Sequence, residues 1–131
     1  MYSPLNVPQT GGGLRLTGRD LLKIAELYRA GGGWNGSGSS PTSWVKASTT
    51  PHARIDDDTE YGYLWWLKKF KSGEKSHAAF FMSGNGGNKV MVFPDLDNEC
   101  GADEHELTTP RVCIEQTEQL LTDYILQAVE Q

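Results

Sequence analysis

The side chains able to do chemistry in this chain are few and scattered. His77 stands in an apolar stretch beside Phe80 and reads as a structural histidine. His52 and His105 fall in loop-like segments with no cysteine or second histidine at metal-ligand spacing. The triplet Asp56-Asp57-Asp58 concentrates charge, but a calcium loop alternates its ligands and needs a turn glycine, so the triplet reads as a solvated turn. Ser83-Gly-Asn-Gly-Gly-Asn reads as a glycine-rich bulge or turn. Cys100 and Cys113 are too few for a disulfide framework, and free thiols are expected. No metal site and no cofactor is implied. A catalytic site of the chain's own would have to be built from Asp56 to Asp58, or from His77 with Asp95.

Composition narrows the partners. The net charge is −5, and the 12 lysines and arginines form no concentrated basic face, which argues against a nucleic-acid role. The nearest cluster, Lys68, Lys69, Lys71 and Lys75, flanks Gly73 and reads as a solvated hairpin tip. Met1 to Gln9 has neither a basic region nor an apolar run, so no signal peptide is expected and the chain is expected in the cytoplasm. Apolar stretches such as Ala78 to Met82 fall far short of the roughly 20 residues that span a bilayer.

Positioning falls to a small set of elements in one domain spanning 1–131, an α+β arrangement in which an antiparallel sheet of about three strands packs against an N-terminal and a C-terminal helix. Residues 1–13 form a flexible lead-in. Thr17 and Asp20 have the spacing of a reciprocal cap, Leu21, Ile24, Ala25 and Tyr28 recur at helical period, and Gly31-Gly32-Gly33 stops the helix, predicting it over 18–30. Trp34 to Ser40 reads as loop. Ser40-Pro41 reads as a cap followed by a first-turn proline, opening a short helix through Trp44, Val45 and Ala47. Thr49 to Thr59 reads as an exposed loop. From Tyr61 the period changes to two, predicting strands over 61–70, 76–83 and 88–94 in an antiparallel meander. Residues 97–110 are acidic and aperiodic, an irregular loop. Thr109-Pro110 then opens a helix over 111–130 with an apolar stripe at Val112, Leu120, Leu121, Tyr124, Ile125, Ala128 and Val129.

Four segments come in a telling order: Gly12-Gly-Leu-Arg-Leu-Thr-Gly-Arg-Asp-Leu-Leu-Lys, Tyr61-Gly-Tyr-Leu-Trp-Trp, Ser83-Gly-Asn-Gly-Gly-Asn and Phe93-Pro-Asp-Leu-Asp. Glu115-Gln-Thr-Glu-Gln-Leu-Leu-Thr-Asp-Tyr-Ile follows them. With these the chain resembles the C-terminal portion of the serine β-lactamase and penicillin-binding-protein-like family, in its class C-like esterase branch. The resemblance implies a Ser-x-x-Lys motif near the N-terminus as nucleophile and base, an assisting Tyr, and a Lys-Thr-Gly-like motif on a sheet strand whose backbone N–H helps form the oxyanion hole. The nucleophile motif and Tyr-x-Asn are expected to lie outside this chain. Only the third motif carries over, at Phe81-Met82-Ser83, with Gly84 supplying the oxyanion N–H and Phe81 standing where the family has a basic residue. The candidate ligand-binding residues are therefore Ser83, Gly84, Asn85 and Gly86, and no residue is assigned as catalytic.

The resemblance also implies a buried strand rich in Val and Ile after Pro94-Asp95-Leu96-Asp97, where this chain has charge. A compensated reading-frame slip would produce such a departure. One permitted codon choice for Asn98 to Leu107, read one base later, spells Met-Ser-Val-Val-Leu-Met-Ser-Thr-Asn, an apolar strand of the implied kind.

The expected function is a non-catalytic remnant of a serine hydrolase of this β-lactamase-like kind. The alternative is a small binding module for a sugar or peptide that uses the aromatic strand Tyr61–Trp66. In the family, N-terminal elements flank the sheet. Without them Trp65, Trp66, Phe80, Phe81 and the stripe from Leu120 to Val129 are expected to be wet, so a symmetric homodimer that buries them is expected.

Overall fold

The computed structural model describes residues 16–84, 88–96 and 117–129, together with the backbone of 98–102. The lead-in 1–13, Asn85 to Gly87, Asp97 and residues 103–116 lie outside the described residues.

Thr17 opens the first helix, α1 (Gly18–Arg29), through the capping box that its spacing to Asp20 predicts. The Asp20 amide donates to Thr17 Oγ1 over 3.2 Å, and the Thr17 amide donates to Asp20 Oδ2 over 3.3 Å. Hydrogen bonds from Thr17 and then Lys23 hold the Asp20 carboxyl down at about 2. Past the glycines that end α1, two short strands, β1 (Gly33–Trp34) and β2 (Ser37–Gly38), form a hairpin rather than the expected loop. Its corner is Asn35-Gly36, both at positive φ, the pairing that a two-residue hairpin turn demands. The next helix, α2 (Thr42–Ser48), starts one residue later than expected. Pro41 itself is the N-cap, in an extended conformation with φ −60° and ψ 133°, and no side chain caps the helix.

The main sheet is larger than the expected three strands. It holds six, all antiparallel, in the order in which the chain makes them: β3 (Ala53–Arg54), β4 (Thr59–Tyr61), β5 (Trp66–Ser72), β6 (Lys75–Ser83), β7 (Lys89–Phe93) and β8 (Asn98–Ala102). The expected meander of three corresponds to β5, β6 and β7. Two expectations fail at its borders. The strand expected over 61–70 is split, because the chain turns between Tyr61 and Trp66, which pair with one another across β4 and β5. Leu64 sits in the left-handed region at φ 68°, and the Gly62 amide donates to the Trp65 carbonyl over 2.8 Å. Asn98–Ala102, expected as irregular acidic loop, is strand. The ladder bonds of β7 need partners on both sides, and backbone amides supply them whatever side chains they carry.

Alternation along the strands makes two apolar faces, each roofed by a helix. On one, Ala25, Leu21 and Tyr28 of α1 pack over Trp65, Phe80, Val90 and Val92. On the other, Phe70, Phe81, Met91 and Phe93 meet Leu121 and Leu126 of a C-terminal helix, α3 (117–129). The expected covering of the sheet by an N-terminal and a C-terminal helix therefore forms within one chain. Trp65, Phe80 and Phe81 are buried and Trp66 is half-buried, so these rings are not wet as expected; α1 and α3 supply the cover.

The stripe of α3 also differs from its sequence pattern. Leu121–Ile125 takes π geometry, with the Leu126 amide bonded back to the Leu121 carbonyl. Five residues of an α-helix leave two side chains about 140° apart, so the π turn is what aims Leu121 and Leu126 at the same sheet face. Of the stripe expected to be wet, Leu120, Tyr124 and Val129 are exposed, whereas Leu121 is buried and Ile125 half-buried against the sheet. Val112 lies outside the described residues. No helix among the described residues is long and apolar enough to cross a membrane.

Candidate functional site

The glycine-rich segment closes the β6–β7 hairpin. Ser83 is exposed and pairs with Lys89 as the last rung of the ladder. Gly84 donates its N–H to the Asn88 carbonyl over 2.9 Å, so the amide assigned to an oxyanion is already engaged. Asn85 and Gly86 lie outside the described residues. Phe81, at the position of the family's basic residue, is buried in the core.

Two Ser-x-x-Lys spacings do occur, Ser43 with Lys46 and Ser72 with Lys75, which corrects the expectation that the motif lies outside the chain. Activation of a serine needs a base within hydrogen-bond reach. Neither pair provides this. Ser43 and Lys46 are both exposed on α2 and share no hydrogen bond, and the Ser72 hydroxyl is buried without any partner.

His77 and Asp95 do meet. Nδ1 of the buried imidazole lies 2.6 Å from Asp95 Oδ2, tying β6 to the turn after β7. The arrangement orients the ring and closes one end of the sheet. Lys68, read as part of a solvated tip, is half-buried. It donates to Glu118 Oε2 over 2.7 Å, while Lys89 donates to Oε1 over 2.6 Å. Lys69, Lys71 and Lys75 are exposed as expected. The Asp56–Asp58 turn joins β3 to β4. The Asp58 amide donates to Asp56 Oδ1, which with the Thr59 hydroxyl holds the Asp56 carboxyl below its ordinary range, and Arg54 pairs with Asp57. Among the described residues no group of three or more His, Cys, Asp or Glu is placed to hold a metal ion.

Among the described residues an aromatic stack faces outward. Of the strand Tyr61–Trp66, Trp65 is buried, and Tyr61 and Trp66 pack edge-on against each other, half-buried. Tyr63 alone points its ring out, 46% exposed, between two partners from earlier in the chain. His52 lies parallel to it at 11° with ring centroids 4.0 Å apart, and Trp44, 47% exposed, at 15° and 5.7 Å. The backbone beneath is fixed. The Tyr63 amide donates to the Ser48 carbonyl, and a Cβ on Gly62 would stand 2.1 Å from that same oxygen, so only glycine fits. Hydroxyls of Ser48, Thr49 and Thr50 satisfy carbonyls in the last turns of α2, and His52 Nε2–H donates to the Ala47 carbonyl. Beside the stack, Leu64 is 80% exposed in a left-handed conformation that costs a branched side chain roughly 1–3 kcal/mol. Sequence reasoning missed the shelf because its three rings come from a helix, a loop and a turn, and no periodicity links them. Compared with protein-family models and with curated proteins, the chain shows no match.

Proposed function

We propose that the chain is a non-catalytic remnant of a serine β-lactamase-like hydrolase. The observation that carries this reading is the engagement of Gly84: the amide that would hold an oxyanion is spent on Asn88, beside Ser83, whose hydroxyl bonds to no basic side chain among the described residues. The order of elements agrees with the resemblance, including a strand at Asn98–Ala102 where the family has one. Purified protein is expected to hydrolyse neither nitrocefin nor p-nitrophenyl acetate above the buffer rate. Turnover that disappears in Ser43→Ala, Ser72→Ala or Ser83→Ala would overturn the reading.

A second reading, a small binding module for a sugar or peptide, is favoured by the parallel Trp44–Tyr63–His52 stack, which exposes rings on a rigid base. Self-association as a two-fold dimer belongs here too, resting now on the outer stripe of α3, Leu120, Tyr124 and Val129. Light scattering at micromolar concentration is expected to give twice the 14.5 kDa of the chain, and a monomer mass would rule the dimer out.

A further inference from the structure

Three features line up along one margin of the sheet. The aromatic shelf lies at one end of β3, where His52 precedes the strand. The Asp56–Asp58 turn lies at the other end, about 13 Å further on for four extended residues. Between them β3 is the terminal strand of the sheet, and no strand pairs with its outer side among the described residues. Ala53, Arg54 and Glu60 are exposed there.

We propose that this margin docks a short basic peptide in extended form, with one arginine laid flat on the exposed Trp44 ring at the outside of the stack and neighbouring positive charge against Asp56–Asp58. The proposal rests on the binding-module reading and names its partner. A peptide fits better than a sugar for two reasons. An edge strand offers a row of backbone donors and acceptors that only another backbone matches. The hairpin also carries Asp56, Asp57, Asp58 and Glu60 against the single guanidinium of Arg54, a surplus that a neutral sugar leaves unanswered. Arginine fits better than lysine because its planar, weakly hydrated guanidinium can lie flat on a ring face, which the compact and strongly hydrated ammonium of lysine does less well.

The test is calorimetric titration of the full chain with hexa-arginine, hexa-lysine and cellohexaose at two salt concentrations. Hexa-arginine is expected to bind several-fold more tightly than hexa-lysine. Trp44→Leu is expected to weaken hexa-arginine by roughly threefold to thirtyfold. Asp56→Asn combined with Asp58→Asn is expected to weaken both peptides and flatten the salt dependence. All three positions are exposed, and a melting curve for each variant verifies the fold; if Trp44→Leu unfolds, the asparagine pair and the arginine–lysine comparison decide. Equal binding of the two peptides, unaffected by Trp44→Leu, overturns the proposal as mere attraction to an acidic protein. Cellohexaose binding that depends on Trp44 overturns it while leaving the binding-module reading standing. No Trp44-dependent binding of any probe removes both.

Discussion

Glu118→Ala is expected to destabilise the fold by about 3–5 kcal/mol, because it strands a lysine that water cannot reach. The Lys89 side chain is 2% exposed and ends 2.6 Å from Glu118 Oε1, with its ammonium 5.2 Å from the centre of the Phe81 ring. Its charge is tolerated there because Glu118 answers it, and the ring face adds a smaller attraction. Urea denaturation of wild type and variant measures the loss. Lys89→Met in the Glu118→Ala background is expected to recover part of it, since the unpaired buried charge is the larger penalty. The pair also sets a pH dependence. Burial pushes the Glu118 carboxyl up, but hydrogen bonds from Lys68 and Lys89 outweigh that and leave it below its ordinary 4.5. The folded chain thus holds fewer protons at this site than the unfolded one. The stabilisation is complete above the ordinary value and is lost as pH falls below it, and the Glu118→Ala variant is expected to show a flatter profile there.

Phe93→Ala is the other large loss expected, again about 3–5 kcal/mol, for a different reason. Every residue of β7 is buried, and Phe93 packs edge-on to Phe70 with centroids 5.9 Å apart under the roof of α3. Strands on both sides and a helix above prevent the site from collapsing around the missing ring, so a cavity adds to the lost transfer energy. Gln127→Ala, exposed on the same α3 outside the stripe of Leu120, Tyr124 and Val129, is the control and should stay within about 0.5 kcal/mol of wild type. Equal effects of the two substitutions would contradict the layering described for α3.

Where local rules act alone, the sequence was readable. Thr17 and Asp20 predict the cap of α1 to the residue, and period two marks β6 and β7 closely. The Asn35-Gly36 corner carried a strong hairpin signal that a glycine- and serine-rich context obscured. Elsewhere a distant contact decides. The alternation from Tyr61 to Leu67 looks like one strand, yet Gly62 is pinned against the Ser48 carbonyl, and the chain must turn at Leu64. Asn98–Ala102 has no strand pattern, because its pairing answers the needs of β7 and not its own side chains. The candidate site was legible only in pieces. Ser83 and Gly84 could be named as candidates, but the use of the Gly84 amide depends on Asn88 across the hairpin. His77 and Asp95 were named as a pair without any means of seeing that they touch.

The π turn of α3 acts as a length adjuster. A helix that docks at both ends of such a turn, through Thr117 and Leu121 before and Leu126 after, can take up one surplus residue without unseating either contact. The Thr122 hydroxyl, donating to the Glu118 carbonyl over 3.1 Å and the Gln119 carbonyl over 3.3 Å, occupies acceptors in the turn where the helical ladder loosens. The spacing between the Lys68–Glu118–Lys89 cluster and the C-terminal leucine is therefore tolerant by one position. A one-residue change in length within α3 can be absorbed here as local rewinding while the roof over the sheet stays in place.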